Sequence, residues 1–593
     1  MNKLLQYPFD SARILQKKKS LKKTLEKGEK LEIRIAILGG ETTTFIKDIL
    51  ELFLLDNGIN PLFYESEYNK WYEDAVFENE ELQKFSPQIV LVTTFFSNIM
   101  SLPSVLDSDE NINNKLNAEI NKICNVWEAL LNKYDTVIIQ NNFAFPEKCC
   151  IGNLSNYCSA GYINFVNRLN SKIIEKVKTY KNIYINDVNY LAAKIGLTSW
   201  YDKNSYYLYK MPMSFDALPE YCYNLSQIIL AIFSKVKKCL VLDLDNTLWG
   251  GVIGDDGLKG IKLGDESALG EAYQDFQKYL LNLKERGVIL AVCSKNEENI
   301  AKEGFTHPDS VLKVDDFAAF YANWEPKHNN IINIVKYINI GLDSVVFIDD
   351  NPVERKIVRD NLPDVVVPEV TGGDPYSYIR AIEDGRYFET VNISVDDLKR
   401  NDDYRANNQR AELEMSFGSY EDFLRSLEMK AVIEPFSELY IDRITQLTNK
   451  TNQFNLTTKR YTKADIEKIM HSNEYITFYC RLKDKFSDNG IISLVIGKIT
   501  GDCLHIELWL MSCRVLKRNV EQLLFNKILD YSKLHNINKI YGYYYETSKN
   551  KMVKKLYSSL GFTECRDGIT SVLDVSKANI IEDLPIEVIQ NDQ

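Results

Sequence analysis

The chain has 593 residues, of which 45% are hydrophobic and 26% are charged, and its formal net charge is −12. This length is too great for one hydrophobic core and predicts about three to four domains. The acidic balance argues against a nucleic-acid partner, which requires a broad basic surface. We find no apolar window of about 20 residues and no secretory signal, so neither a membrane span nor export is expected. The eleven cysteines, with no CxxC pair, are then expected to be mostly reduced in a cytoplasmic protein.

The first predicted domain covers residues 1–232. Apolar runs typical of strands alternate there with helical patterns, which indicates an α/β domain with a parallel sheet. The runs lie at residues 33–38, 88–93, 136–140 and 182–186. The first histidine of the chain is His307, so this domain cannot hold a Ser-His-Asp triad. We therefore predict a scaffold or docking module without its own chemistry.

A second α/β domain is predicted at residues 235–385. Three of its apolar strands, at 240–242, 288–292 and 345–348, end in chemically reactive side chains. These strands are followed by Asp243, by Cys293 and Ser294, and by Asp349 and Asp350. Ligands of a parallel sheet bind just outside the carboxyl ends of its strands, so we expect the three polar ends to share one crevice.

The carboxylates at these strand ends predict a magnesium site. Asp243 and Asp349, with Asp350 beside them, offer the oxygen ligands that Mg²⁺ prefers, and the main-chain carbonyl of Asp245 offers another. An isolated DxD could equally be a calcium site or an Asx-capped turn. The ordered set of DxDxT, a strand-terminal Ser, a downstream Lys and a strand-terminal Asp pair argues against that alternative.

The same residues predict phosphoryl transfer. Asp243 would attack phosphorus to form an aspartyl-phosphate. Asp245, two residues on, would protonate the leaving oxygen and later activate water. Ser294 would hydrogen-bond the phosphoryl group, and Lys327 would neutralise its developing charge.

Longer motifs resemble the FkbH-like family, whose members are HAD proteins of subfamily IIIC. The similar segments are 241–257 (VLDLDNTLWGGVIGDDG), 293–296 (CSKN), 316–319 (DFAA), 323–327 (NWEPK), 347–355 (FIDDNPVER), 451–458 (TNQFNLTT) and 512–516 (SCRVL). The resemblance implies a Rossmannoid HAD domain with a parallel sheet. It also implies that a glyceryl unit passes from 1,3-bisphosphoglycerate to the pantetheine thiol of an acyl carrier protein, with loss of both phosphates.

A helical linker is predicted at 386–427, an α+β domain at 428–575 and a tail at 576–593. The α+β domain has strand patterns at 475–482, 491–499, 503–511 and 539–545 and a helix at about 516–534. It is similar to GNAT acyltransferases, which hold acyl-pantetheine beside a splayed strand. The N-terminal domain is similar in layout to the SGNH-hydrolase-like domain found in longer members of the family.

The loop that binds coenzyme A in GNAT proteins is altered here. It runs from Arg514 to Asn519, and Lys517 and Asn519 stand where the motif has glycines. Side chains at those positions would crowd a pyrophosphate, so we predict a carrier-bound pantetheine as the ligand rather than coenzyme A. Lys517 and Arg518 would meet an acidic carrier surface. Two further residues, Asn550 and Tyr557, match positions that line the pantetheine arm.

Cys513 is the candidate nucleophile for a glyceryl-thioester intermediate. We expect it at the N-terminus of the predicted helix beside Arg514, a setting that favours thiolate. The alternatives are a buried structural cysteine and the rival thiol Cys293. The leading hypothesis is a magnesium-dependent phosphatase and glyceryltransferase of polyketide-type biosynthesis, with no membrane partner. A stand-alone small-molecule phosphatase and a non-catalytic carrier-binding protein are the competing interpretations.

Overall fold

The computed structural model describes residues 2–28, 30–393, 398, 406–407, 409–410, 413–414, 416–451, 453–547 and 550–589. The chain forms two compact units, Met1–Ile232 and Phe233–Gln593. The domain borders predicted inside the second unit remain predictions. Within the described ranges, no helix has both the length and the apolar character needed to cross a membrane.

The first unit contains a five-stranded parallel sheet, which confirms the predicted α/β class. Its strand order is β2-β1-β3-β4-β5, and all neighbouring pairs are parallel. The strands are β1 (Leu31–Gly39), β2 (Ile59–Glu65), β3 (Ile89–Thr93), β4 (Val137–Asn141) and β5 (Ile183–Asn186). Every residue of β3 and β4 is buried, as expected for strands covered on both faces.

Helices connect and cover these strands. They are α1 (Ser11–Leu25), α2 (Thr44–Asp56), α3 (Trp71–Val76), α4 (Glu80–Phe85), α5 (Asp109–Lys133), α6 (Tyr162–Val177), α7 (Val188–Ile195), α8 (Leu197–Trp200), α9 (Lys203–Tyr209) and α10 (Leu218–Ile232). The longest of them, α5, begins after Ser108, whose side chain accepts a hydrogen bond from the main-chain N–H of Asn111. The negative charges of Asp109 and Glu110, in its first turn, interact favourably with the positive end of the helix dipole.

The second unit holds a four-stranded parallel sheet of order β8-β7-β6-β9, which confirms the predicted parallel sheet of the central domain. Its strands are β6 (Cys239–Leu242), β7 (Ile289–Ser294), β8 (Ala319–Ala322) and β9 (Val345–Ile348). The accompanying helices are α11 (Ile253–Gly260), α12 (Ala268–Glu285), α13 (Glu298–Glu303), α14 (Lys327–Tyr337), α15 (Pro352–Asn361) and α16 (Pro375–Gly385). The three strands that end in reactive residues, β7, β6 and β9, are therefore neighbours.

The second unit also holds a mixed sheet, which confirms the α+β class predicted for its C-terminal part. The strand order is β16-β17-β15-β14-β13-β12-β10-β18, and β11 pairs with β14. These strands are β10 (Met429–Glu434), β11 (Phe454–Asn455), β12 (Tyr475–Lys483), β13 (Asp488–Thr500), β14 (Cys503–Met511), β15 (Lys539–Tyr543), β16 (Thr563–Glu564), β17 (Thr570–Asp574) and β18 (Ile586–Val588). The neighbours β14 and β15 are parallel, whereas β13 and β14 are antiparallel.

The predicted linker lies partly outside the described residues, and the predicted tail needs correction. The helices here are α17 (Tyr420–Ser426), α18 (Ile441–Lys450), α19 (Lys463–Met470), α20 (Val520–Leu534) and α21 (Leu556–Ser559). Residues 394–397, 399–405, 408, 411–412 and 415 of the predicted linker 386–427 lie outside the described residues, and its last part contains the helix α17. The predicted tail 576–593 contains β18, which pairs in parallel with β10, so part of it belongs to the sheet.

Candidate active sites

Three carboxylates meet at the carboxyl edge of the four-stranded sheet. Leu242, the last residue of β6, lies opposite Ile348, the last residue of β9. The residues that follow these two strand ends are therefore close in space. Oxygen atoms of Asp243, Asp349 and Asp350 all lie within 4.8 Å of one another. The convergence expected from parallel strands is present at this edge.

Lys327 lies among these carboxylates. It opens α14, is 2% exposed, and its Nζ atom is 2.8 Å from Oδ2 of Asp243 and 2.6 Å from Oδ2 of Asp349. Burial disfavours the ammonium form, but the two carboxylates hold the pKa of Lys327 above its ordinary value. Burial, reinforced by the charge of Asp243, raises the pKa of Asp350 to about 6 and also raises the pKa of Asp349.

The carboxylate cluster fits a hard divalent cation. Oδ1 of Asp243 is buried and has no hydrogen-bond partner among the described residues, an arrangement that costs free energy unless a ligand completes it. Lys327 neutralises only part of the charge of three carboxylates. Oxygen ligands in this number suit Mg²⁺, which keeps water molecules in its remaining positions.

The side chain of Asp245 is held beside this cluster by three donors. Its Oδ1 accepts hydrogen bonds from Nε1 of Trp249 at 2.9 Å and from the main-chain N–H of Ile253 at 3.1 Å. Its Oδ2 accepts from Nδ2 of Asn296 at 3.1 Å. The next residue, Asn246, has a φ of 52°, a left-handed conformation that Asn tolerates well. Burial raises the pKa of Asp245, which favours a carboxyl group that carries a proton.

Cys293 and Ser294 end the neighbouring strand β7 and differ in their surroundings. Cys293 is fully buried, its Sγ donates to the main-chain carbonyl of Lys327 at 3.6 Å, and burial raises the pKa of its thiol. It belongs to a hydrophobic cluster between the sheet and its helices. Ser294 is the terminal residue of β7, at the sheet edge that also carries Asp243. The rival thiol is thus a core residue, whereas the serine lies where the phosphoryl group is expected.

The sequence analysis did not assign a role to Arg355 or Asn296. The guanidinium NH1 of Arg355 donates to the main-chain carbonyls of Asp349 at 2.9 Å and of Asp350 at 2.8 Å, which fixes the turn after β9. Asn296 orients Asp245. Both residues lie inside the segments that carry the family resemblance, 347–355 and 293–296, so their place in those motifs was the available signal.

The C-terminal thiol candidate lies in a different local structure from the one expected. The main chain of Cys513 opens a three-residue 3-10 helix, Cys513–Val515, directly after β14, and its side chain is outside the described part of the structure. The helix predicted from residue 516 begins only at Val520. Cys513 therefore does not stand at the N-terminus of that helix, contrary to the prediction.

Two residues of the loop before α20 have the positive φ values typical of glycine, although neither is a glycine. Lys517 and Asn519 have φ values of 64° and 63°, which glycine adopts more readily than other residues. The side chain of Lys517 is exposed, as a surface contact requires. Arg514 precedes this loop, and its Nε donates to Oγ of Ser512 at 3.4 Å.

The surface role predicted for Arg518 is wrong. Its side chain is buried, and it donates to Oδ2 of Asp484 at 3.0 Å and to the main-chain carbonyl of Arg514 at 3.0 Å. A second buried guanidinium, that of Arg410, donates to the other oxygen of Asp484 at 2.7 Å. Arg518 is thus committed to an internal ion cluster and cannot meet a carrier protein.

The gap between β14 and β15 is filled by the chain itself. The two strands pair only from Cys503 to Ile506, and residues 454–457 then enter between them. Leu456 donates its N–H to the carbonyl of Trp509 at 3.2 Å, and its carbonyl accepts from the N–H of Tyr545 at 2.9 Å. The backbone edges that an extended pantetheine would pair with are thus occupied by residues 454–457.

Asn550 and Tyr557 support this packing and do not line an open channel, contrary to the prediction. Nδ2 of Asn550, which is fully buried, donates to the carbonyls of Asn455 and Tyr545, both at 2.9 Å. Tyr557 is 3% exposed, and its ring centroid lies 6.3 Å from that of Trp509. Both residues are enclosed by the domain in this structure.

Comparisons with known proteins agree with this geometry. The family model described as the FkbH N-terminal domain matches residues 34–230. A solved structure from Bacteroides fragilis, the N-terminal part of protein BF1531 containing a phosphatase domain complexed with Mg, is 33% identical. The match has a TM-score of 0.59 and covers 63% of this chain and 99% of that one. No curated protein matches the chain by sequence.

The C-terminal region matches acetyltransferase structures at low similarity. The ribosomal-protein-S18-alanine N-acetyltransferase of Escherichia coli is 14% identical, with a TM-score of 0.21, and the match covers 25% of this chain and 96% of that one. The spermidine/spermine N-acetyltransferase SpeG of Vibrio cholerae, in a mutant form, is 19% identical, with a TM-score of 0.20, and the match covers 25% and 95%. The strand order described above remains the observation that defines the fold of this region.

Proposed function

The chain belongs to the FkbH family, and from this membership we propose that it is a magnesium-dependent phosphatase that also transfers an acyl group. The substrate is 1,3-bisphosphoglycerate, and the acceptor is the pantetheine thiol of an acyl carrier protein in cytoplasmic, polyketide-type biosynthesis. The observation that carries the phosphatase part is the cluster of Asp243, Asp349 and Asp350 around Lys327.

The residues of the cluster divide the phosphoryl chemistry between them. Asp243 attacks phosphorus, and the leaving oxygen departs with a proton from Asp245, whose raised pKa suits a general acid. Asp245 then takes a proton from the water that hydrolyses the aspartyl-phosphate. Ser294 and Lys327 hold the phosphoryl oxygens. Asp243, Asp349 and Asp350, together with the main-chain carbonyl of Asp245, would hold magnesium, which would supply positive charge that offsets repulsion between carboxylate and phosphate.

The acyl transfer is assigned to Cys513. Its thiolate attacks the carbonyl carbon of the acyl phosphate, the C–O bond to phosphate breaks, and phosphate leaves with the electron pair. The carrier thiol then displaces Cys513 and takes the glyceryl group as a thioester. The exposed ammonium of Lys517 attracts the acidic surface of the carrier.

Single substitutions separate the two activities. Cys513→Ser is expected to abolish glyceryl loading of the carrier and to leave magnesium-dependent hydrolysis of 4-nitrophenyl phosphate unchanged. Asp243→Asn is expected to remove that hydrolysis by a factor on the order of 10⁶, as for loss of a covalent nucleophile. Cys503→Ser, at the opposite end of β14, is the matched control and retains both activities. Loss of both activities, or of neither, in Cys513→Ser would overturn the assignment of acyl transfer to Cys513 and of hydrolysis to Asp243.

One observation favours a second candidate, a stand-alone small-molecule phosphatase with non-catalytic flanking domains. Residues 454–457 occupy the gap in which an extended acyl-pantetheine would pair with β14 and β15. On this alternative, incubation with an acyl phosphate leaves the enzyme without any acylated cysteine. An acylated Cys513 peptide in the mass spectrum would exclude it.

A further inference from the structure

Glu41 occupies a place in the first unit where open α/β sheets bind ligands. The strand order β2-β1-β3-β4-β5 reverses direction between β1 and β3. At such a reversal the loops after the two strands separate and leave a crevice at the carboxyl edge of the sheet. Glu41 lies in the loop after β1, and Ser97 lies in the turn after β3. Both side chains therefore belong to the switch point of this sheet.

The two side chains form a hydrogen-bonded pair of unequal exposure. The hydroxyl of Ser97 donates to Oε1 of Glu41, and the hydroxyl of Tyr68 donates to Oε2 at 3.2 Å. Glu41 is only 4% exposed, whereas Ser97 and Tyr68 reach the surface. Burial raises the pKa of Glu41 more than these two hydrogen bonds lower it. A desolvated carboxylate is a stronger base than a solvated one.

The loops that carry this pair are tightly built. A Cβ atom on Gly40 would lie 2.3 Å from Oδ1 of Asn98, so a larger residue there would displace the Asn98 side chain. Nδ2 of Asn98 donates to the carbonyl of Gly40 at 3.0 Å, and its Oδ1 accepts from the N–H of Phe95 at 2.8 Å. Asn98 thereby ties the loop after β1 to the turn that carries Ser97. The segments that carry Glu41 and Ser97 are thus joined by hydrogen bonds from Asn98 to both main chains.

We propose that Ser97 and Glu41 form a second acyl-transfer site, in which the serine is a nucleophile towards activated carboxylic esters and thioesters. The arrangement has the parts that such a nucleophile requires. An exposed hydroxyl donates to a buried base, and a third group, the Tyr68 hydroxyl, orients that base. A histidine-based triad is impossible in this unit, but the carboxylate accepts the proton directly.

The reaction balances without a further reactant other than water. Oγ of Ser97 forms a bond to the carbonyl carbon while its proton passes to Glu41, and Glu41 then gives this proton to the alcohol or thiol, which leaves with the electron pair of the broken bond. Water then attacks the carbonyl carbon of the acyl-serine and gives a proton to Glu41, which passes it to Oγ of Ser97 as the ester bond to that oxygen breaks. The products are a carboxylic acid and the free alcohol or thiol.

A surface pair in the same unit provides a matched control. The hydroxyl of Ser159 also donates to a carboxylate, that of Asp109, but this carboxylate is exposed. If a hydrogen bond between serine and carboxylate were sufficient, both serines would react alike. The proposal requires that only the serine beside the buried carboxylate is reactive.

The test uses the full-length protein and 4-nitrophenyl acetate. Peptide mapping after an acid quench is expected to show an acetyl group on Ser97, apart from any on cysteine thiols, and Ser159→Ala is expected to be labelled at Ser97 like the wild type. Ser97→Ala is expected to lose the label. Glu41→Gln is expected to slow labelling by about 10²-fold or more, because the base is removed while the amide oxygen can still accept a hydrogen bond from the Ser97 hydroxyl. Phosphatase activity and melting temperature check that these variants fold. Absence of acetyl-Ser97 in the wild type, or wild-type labelling of Glu41→Gln, would overturn the proposal.

Discussion

The Nζ atom of Lys327 lies 2.6 Å from Oδ2 of Asp349, and both side chains are almost entirely shielded from solvent. Two buried charges repay the cost of losing water only when they are paired and further stabilised. A second carboxylate, that of Asp243, supplies this stabilisation, because its Oδ2 lies 2.8 Å from the same ammonium. The ammonium of Lys327 thus holds the carboxylates of Asp243 and Asp349 together.

The first prediction concerns removal of this ammonium. Lys327→Met is expected to lower the free energy of unfolding by about 3–5 kcal/mol in EDTA, because it leaves carboxylates buried without their partner. Added Mg²⁺ is expected to restore part of the loss. Urea denaturation measures both effects, and Lys336→Met, at an exposed position of the same helix, is the control. An unchanged midpoint in Lys327→Met would show that the ammonium is not needed for stability.

The second prediction concerns pH. The pKa of Asp350 is raised to about 6 in the metal-free fold, whereas an aspartate in an unfolded chain titrates near 4. Between these values the folded state holds a proton that the unfolded state has lost. The free energy of unfolding contributed by this group therefore falls as the pH rises from about 4 to about 6, and magnesium affinity rises. Urea titrations in EDTA at several pH values are expected to show a smaller slope for Asp350→Asn than for the wild type.

The third prediction concerns the buried ion cluster of the C-terminal sheet. Asp484→Asn leaves the guanidinium groups of Arg410 and Arg518 buried without a counter-charge, so we expect a loss of about 3–5 kcal/mol. Asp488→Asn removes a more exposed pair with Arg481 and is expected to cost below about 1 kcal/mol. Denaturation curves that show equal losses for the two variants would contradict this account.

The fourth prediction concerns the amide that fixes residues 454–457. Asn550→Ala leaves the buried carbonyl of Asn455, the carbonyl of Tyr545 and the N–H group of Thr547 without this partner, and is expected to cost about 2–4 kcal/mol. Asn538→Ala removes a solvent-exposed amide that bonds Asp502 and is expected to cost below about 1 kcal/mol. If Asn550→Ala melts like the wild type, residues 454–457 are not held in the way described.

In the two parallel sheets, the sequence revealed every strand except β2 and β8. Those in the middle of the parallel sheets, such as β3 and β6, are buried on both faces and therefore read as continuous apolar runs. The missed strands β2 and β8 are at sheet edges. Pro61 and several half-exposed side chains interrupt the pattern of β2, and β8 has only four residues. Their pairing depends on the neighbouring strand more than on local sequence.

Parts of the candidate sites could not be found from local patterns. Asp243 and Asp349 follow obvious strands, so parallel register alone brings them together. In contrast, Lys517 and Arg518 read as a basic surface pair, but Asp484, far earlier in the chain, draws Arg518 into the interior. Glu41 and Ser97 are likewise distant in sequence and meet only because β1 and β3 are adjacent. Long-range contacts of this kind leave no periodic signal.

The central claim is that phosphate removal accompanies the loading of a carrier protein. Its most direct test is the intact mass of an acyl carrier protein after incubation with this enzyme, 1,3-bisphosphoglycerate and Mg²⁺. We predict a mass gain of one glyceryl unit on the carrier, which disappears when the enzyme carries Cys513→Ser. A carrier of unchanged mass, while phosphate is released at the full rate, would contradict the claim.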